Sequence, residues 1–412
     1  MKSWVAIALM ASTFCAQAQD RPAPADLPPT ALARQWIDQD AAVREARSGL
    51  EAAGHGAGML RAGPHEWTTR VTMQRRNYQS GGPDSKEWNA QLERGIRVNG
   101  KAKLDDELAD VELAVARARV GEAIHESARS LVDLWVDAAL SAQAESLYRA
   151  QQTFAQQNLR AVDARKRAGD ASSLDLAVAS ADAADVDRQA SQAKSTLDKA
   201  RARLRVRFPD AQAPERALGN PSGPEGPQSQ WLDRALQASD VMRIAEGQLR
   251  KAELTASRAS ADRVADPTVG VFAASESFRQ ERIVGVSISI PLGGTYRRER
   301  SLQAMQEAEA ARSALDRQRR ELETSIAETY TDASGNFSRW QLAEQGAAAS
   351  NENAQLTQRA YALGEADLQS LLLARRQFLD ASRAALEARA EALRAHYRLL
   401  VDAHLIWNLS DD

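Results

Sequence analysis

Two stretches of this 412-residue chain, 84–208 and 292–412, contain no proline, although thirteen prolines occur elsewhere. Proline in a helix interior removes a hydrogen bond and clashes with the preceding turn, at a cost of about 3 kcal/mol. Proline-free stretches of this length, rich in Ala, Glu, Arg, Leu and Gln, predict long helices. Between them, the cluster from Pro209 to Pro227, with Gly219, Gly223 and Gly226, predicts an irregular connector over 209–228. Aromatic residues make up 5 % of the chain, thin material for one large globular core but enough for helices packed through Ala and Leu.

The chain also repeats itself. Ser130 to Asp137 matches Ser325 to Asp332 at an offset of 195, and the same offset relates Gly169 to Gly364, Leu176 to Leu371, Ala200 to Ala395 and Leu204 to Leu399. This predicts two structural repeats, 30–208 and 229–408, followed by a short tail over 409–412. Each repeat opens with a helix and continues, after Pro64 or Pro267, into a β-hairpin, expected over 65–98 and 268–292. Asn99-Gly100 or Gly293-Gly294 then leads into a very long helix, from about Leu104 to Ala168 and from about Arg297 to Leu363. At 1.5 Å per residue each would be ~100 Å long. Gly169 and Gly364 end these helices, and a second helix returns from tips at 167–174 and 363–368.

In the hairpins apolar and polar residues alternate. Trp67, Thr69, Val71 and Met73 form one column. Trp88, Ala90, Leu92, Ile96 and Val98 form another, interrupted by Arg94, and Val284, Val286, Ile288 and Ile290 a third. Period-two alternation means one apolar and one polar face. Two hairpins are too few for an independent sheet, but several chains could pool them into a membrane barrel with an apolar exterior and a polar lumen. A small soluble sheet covering the helices fits the strands equally well.

The return helices carry heptads. Leu372, Leu379, Leu386, Leu393 and Leu400 recur every seven residues, as do Ala374, Ala381, Ala388 and Ala395. Two positions apart, these columns lie about 200° around the helix and ask for a neighbour on each flank. Helices of this kind can line up into a curved wall that closes into a cylinder; an antiparallel bundle is the other arrangement.

Lys and Arg total 53 against 56 Asp and Glu, so the basic excess of a nucleic-acid binder is missing. No apolar run reaches the ~18 residues of a membrane-spanning helix. Lys2, the apolar run Trp4 to Phe14 and Ala16-Gln17-Ala18 predict a signal peptide over 1–18, cleaved near Ala18; a buried N-terminal helix is the alternative. Residues 19–29 would then form a flexible lead. The single cysteine, Cys15, falls inside the signal, and Phe14 before it suits a lipidation site poorly. His55, His65, His125, His396 and His404 show no metal-ligand spacing, and neither a phosphate-binding loop nor a nucleophile elbow occurs. No catalytic, cofactor or metal residue is therefore expected, and the chain reads as a protein that is not an enzyme.

Several segments, in order and twice over, resemble the TolC family of outer-membrane efflux proteins. They include "RKRAGDASSLDLAVASADAA", "AYALGEADLQSLLLARRQFLDASRAALEARAEALRA" and "IVGVSISIPLGGTYRRE". "GPHEW" and "ERGIRVNGKAKLD" look closest to its heavy-metal efflux branch. The resemblance implies a mainly α fold with a small β part. Duplicated long helical hairpins would form a trimeric α-helical barrel, and four strands per chain a twelve-stranded transmembrane β-barrel. It implies an exit duct in the outer membrane of a Gram-negative bacterium, with a large periplasmic part. The partners would be a homotrimer, outer-membrane lipid, a periplasmic adaptor and an inner-membrane pump of the RND type, with no cofactor and no nucleic acid.

Family members carry acids six and nine positions after a tip glycine. Asp175 and Val178, and Ser370 and Leu373, hold those places here, so Asp175 and Ser370 are the candidate constriction residues. Asp175 reads equally well as a charge in the first turn of a helix. Arg167, Gly169, Asp170, Leu363, Gly364 and Glu365 are the candidate adaptor-contact tips, and Val284, Val286, Ile288 and Ile290 the candidate lipid-facing strand. The rival reading is a soluble periplasmic coiled-coil adaptor or scaffold.

Overall fold

The computed structural model describes residues 23–212 and 217–409. The expected signal peptide with Cys15, the first residues of the lead and the last three of the tail lie outside the described residues. The first half runs α1 (Thr30–Asp38), α2 (Ala41–Ala62), β1 (Thr68–Arg76), β2 (Ser85–Gly95), α3 (Lys101–Ala168) and α4 (Ser173–Arg207). The second runs α5 (Gln228–Ala238), α6 (Asp240–Ala261), β3 (Thr268–Glu276), β4 (Glu281–Ser289), α7 (Thr295–Leu363) and α8 (Leu368–Asp402). The fold is mainly α with one small sheet.

The long helices stop where glycine permits a left-handed residue. Gly169 has φ 89° and Gly364 has φ 82°, and each returns its N–H to the last turn, to Arg165 and Lys166 or to Ala360 and Tyr361. The chain then restarts on a side-chain cap. Ser172 caps α4, and Asp367 caps α8 by accepting from the Ser370 N–H at 2.7 Å. α3 packs against α4 and α7 against α8 as two antiparallel hairpins.

The main core lies around the middle of α3. There Ile124, Leu131, Val132 and Trp135 meet Trp36 and Ile37 of α1, Leu204 of α4, Leu399 of α8, and Ile406 and Trp407 beyond it. The stretch 23–29, expected to be flexible, is tied into this core. Asp26 accepts from Tyr397 Oη at 2.7 Å and from the Gly219 N–H at 3.0 Å. Its carbonyl accepts from Trp135 Nε1 at 2.7 Å, and that of Pro28 from Trp407 Nε1 at 3.0 Å. Large aromatic residues bury their rings only when their polar ends find partners, and an extended proline-rich backbone offers free carbonyls.

The sheet is antiparallel throughout, in the order β1-β2-β3-β4. Its register sets Val71 opposite Ala90, Ala90 opposite Ala273 and Ala273 opposite Val284. β2 ends at Gly95, earlier than the alternation suggested. Ile96 N–H then donates to the Pro267 carbonyl at 2.9 Å and Val98 N–H to Asp266 at 3.1 Å. β4 ends at Ser289, so Ile290 lies one residue beyond it, followed by Pro291, which has no N–H to extend a ladder. No helix among the described residues is long and apolar enough to cross a membrane.

Candidate functional site

The sheet has two unlike faces. On one, Val284, Val286 and Ile288 are 84 %, 78 % and 68 % exposed, and Met73 is 82 % exposed. Val71, Trp88, Leu92 and Val271 share that face and are also exposed. Ile290 is exposed as well, just past the strand. The opposite face is polar and knitted together. Gln74 donates to Glu87 at 2.8 Å, and Arg76 pairs with Glu87 and Glu276, each at 3.1 Å. Gln91 donates to Glu93 at 2.7 Å and to Ser287 Oγ at 3.3 Å.

Aromatic residues bound the sheet at both ends. Trp67 stands at the helix end with the Arg94 guanidinium 5.6 Å from its ring. At the turn end Tyr78 and Phe278 stack at 6.0 Å. From Trp67 to Tyr78 the chain advances ~36 Å at ~3.3 Å per residue, and a tilt of ~40° projects this to ~28 Å, close to the apolar height of a membrane barrel.

A charged joint fixes the sheet to the helices. Lys101, the first residue of α3, is buried, and its ammonium donates to Asp266 and to the Val264 carbonyl, both at 2.7 Å. His65 Nε2 lies 2.9 Å from the other Asp266 oxygen. Burial raises the Asp266 carboxyl, but hydrogen bonds from Lys101, His65 and the Val98 N–H outweigh it and hold the group at about 2. Arg97 bonds Asp105 at 2.9 Å, and Arg258 Nε bonds the same carboxylate at 2.6 Å. The segments 63–67 and 93–105 thus supply half of a structural joint. The other half comes from residues 258–266, and nothing local in the sequence announces that pairing.

At the tips, Asp175 closes a capping box. Its Oδ2 accepts from Ser172 N at 2.9 Å and Oγ at 2.8 Å, while Ser172 Oγ accepts from Asp175 N at 3.0 Å. The Ser172 backbone bond is the main reason its carboxyl lies below the usual carboxylate range; the Arg165 charge lowers it further and Asp367 opposes this. Asp175 is therefore a helix-capping residue, and it is half-buried. Ser370 is exposed and gives its backbone N–H to Asp367, so the acid of the second tip stands three residues before the expected place. The Asp-x-x-Ser spacing at a helix start was the signal that could have found it. Arg167 pairs with Asp163 at 3.0 Å, and Gly169, Asp170, Leu363, Gly364 and Glu365 are all exposed.

The two tips of one chain are brought together. Val162 and Ala179 of the first hairpin share an apolar cluster with Leu368 and Leu371 of the second. Arg165 lies over Tyr361 at 5.4 Å, and Arg375 over Phe154 at 3.6 Å.

Solved structures share the overall fold. The CmeC outer membrane channel of Campylobacter jejuni superposes with a TM-score of 0.76 at 14 % identity, covering 92 % of this chain and 87 % of that one. The outer membrane protein VceC of Vibrio cholerae gives 0.72 at 17 %, covering 90 % and 95 %. The chain shares the fold of these outer-membrane channels. The open state of the MtrE outer membrane channel of Neisseria gonorrhoeae agrees, with a TM-score of 0.67 at 18 % identity over 92 % and 90 % of the two chains. No family model and no curated protein matches the sequence.

Proposed function

We propose that this protein is a passive exit duct in the outer membrane of a Gram-negative bacterium. The observation that carries the reading is the sheet, whose exposed apolar face is backed by a self-paired polar one. Its outer strands β1 and β4 also keep an open edge each, and an exposed apolar edge strand asks for a partner. Three copies joined edge to edge would cover every edge, turn the apolar face to lipid and the polar face to a lumen. Val284, Val286 and Ile288 would touch lipid. A soluble scaffold would leave the same face in water.

The helices would then form a periplasmic tunnel, with Asp175 and Ser370 near its narrow end. An adaptor would dock at Arg167, Gly169 and Asp170 and at Leu363, Gly364 and Glu365, and an inner-membrane pump of the RND type would supply the energy. The finer placement in a heavy-metal efflux system rests on segments 63–67 and 93–105. Deletion of the gene should then sensitise cells to metal salts before it sensitises them to drugs.

The deciding experiment is extraction of the protein from the outer-membrane fraction, followed by its mass corrected for detergent and its single-channel conductance. A trimer that conducts is expected. A soluble monomer in the periplasmic fraction would return the chain to the scaffold reading.

A further inference from the structure

The apolar face of the sheet ends in cations. Side chains alternate along a strand, so Arg75 shares the face of Val71 and Met73, Lys86 that of Trp88 and Ala90, and Arg282 that of Val284 and Val286. The register sets Arg75 opposite Lys86 and Arg282 opposite Ser275, at the turn end of the sheet. All three are exposed, and Arg279 in the turn adds a fourth exposed cation. Asp84 answers one of them, accepting from Arg75 Nε at 2.6 Å. Among the described residues, no ion pair involves Lys86, Arg279 or Arg282.

The cations of the other face behave differently. Arg70 lies 3.6 Å from Glu93, and Arg76 is held by two carboxylates. At the helix end, the one cation on the apolar face, Arg94, is engaged by the Trp67 ring and by the His65 carbonyl at 3.0 Å. Uncompensated positive charge is thus confined to one rim of one face, where apolar surface stops.

We propose that this rim binds the phosphate groups of an anionic glycolipid in the outward leaflet of the membrane. The inference rests on the membrane reading of the sheet. The turn end points away from the helices, so helices in the periplasm put this rim at the outer headgroup level. Acyl chains would cover Val284, Val286 and Ile288 while guanidinium and ammonium groups meet the phosphates above them. Arginine suits this role, because its planar fork matches phosphate oxygens. Charges at headgroup depth are also less screened than charges in open water.

The test uses the full-length protein and the triple variant Arg75→Gln, Lys86→Gln, Arg282→Gln in non-ionic detergent, with lipopolysaccharide as the probe. Bound phosphorus per protein is measured after unbound lipid is removed, at low and at high salt. The wild type should retain the glycolipid, less so at high salt, and the triple variant should bind at least ~10-fold more weakly. Arg94→Gln should bind as the wild type does. Equal retention by wild type and triple variant, or an equal loss in Arg94→Gln, overturns the proposal. Both proteins are also inserted into phosphatidylcholine vesicles, where equal conductance is expected. A wild type that does not insert overturns the membrane reading itself, separately from the rim.

Discussion

α3 and α7 are near-equals in length, 68 and 69 residues, and hold the same place in the element order, yet their surroundings differ. α3 buries a run of residues along its first half, among them Ile124, Leu131, Val132 and Trp135, beneath α1, α2, α6 and α8. α7 buries only Ser301, Ala304, Ile326, Ala333 and Ala354 within the chain. Leu302, Met305, Leu342 and Leu356 on α7 remain exposed. One long helix is the spine of the chain; the other stays largely uncovered. Length and glycine-terminated ends make the helix, and the elements packed around it decide how much it contributes to stability.

The largest expected effect breaks the spine. Leu131→Ala removes a fully buried side chain and should cost about 2–5 kcal/mol in urea unfolding of the isolated protomer. Leu342→Ala on α7, where the side chain is 68 % exposed, should leave that midpoint within about 0.5 kcal/mol. It should instead weaken self-association, measured by sedimentation. A midpoint shift as large as that of Leu131→Ala would erase the distinction between the two helices.

The helix starts sharpen the comparison. α3 begins on the buried Lys101, whereas Arg297 near the start of α7 bonds one carbonyl, that of Asp262. Lys101→Met leaves Asp266 short of its cation and should destabilise by about 3 kcal/mol, Arg297→Met by less. The Asp266 carboxyl is held at about 2 against an ordinary 3.8, so its stabilisation is complete above pH 3.8 and fades as pH falls towards 2. Asp266→Asn should remove that acid limb from a stability-pH curve.

A third difference lies at the far end of the core. His404 Nε2 meets His125 Nδ1 of α3 at 3.2 Å, and His125 Nε2 lies 3.3 Å from Asp402. Burial first, then the nearby His125, pushes His404 down to about 4 from 6.5, so the fold keeps it neutral. Stability from this clasp is complete above pH 6.5 and declines as pH falls towards 4. His404→Gln should flatten the curve across that window, followed by fluorescence of the buried Trp407.

At the tips the two helices should behave alike, and the effects are the smallest. Gly169→Ala and Gly364→Ala each force a left-handed residue and should cost about 1–2 kcal/mol locally. Hydrogen exchange over 163–176 and 358–371 would register both, and unequal losses would reveal a tip asymmetry that the cap geometry does not show.

Much of this fold was legible from local patterns. Missing prolines, Gly169 and Gly364, and the alternation around Val284 located the long helices, their ends and a two-faced strand. Local pattern failed where partners are distant. Residues 23–29 looked loose because proline-rich polar segments usually are, yet Tyr397 and Trp407 need the oxygens of Asp26 and Pro28. Asp175 stayed undecided until its bonds to Ser172 made it a cap. Asp367 stands three residues after Gly364, not six or nine, so the family spacing does not mark it.

The sequence by itself determined the inventory: two long helical hairpins, four alternating strands and the glycine turns between helices. Each depends on hydrogen bonds and side-chain periods that span a few residues, so each is written in short windows of the chain. Only the tertiary structure decided that β2 pairs with β3, that Lys101 is buried against Asp266, and that α3 becomes a spine while α7 stays open. The first two join residues more than a hundred positions apart, and the third gathers α1, α2, α6 and α8 around one helix. Helical periodicity is the same for a buried and an exposed wall, so the choice between them belongs to packing.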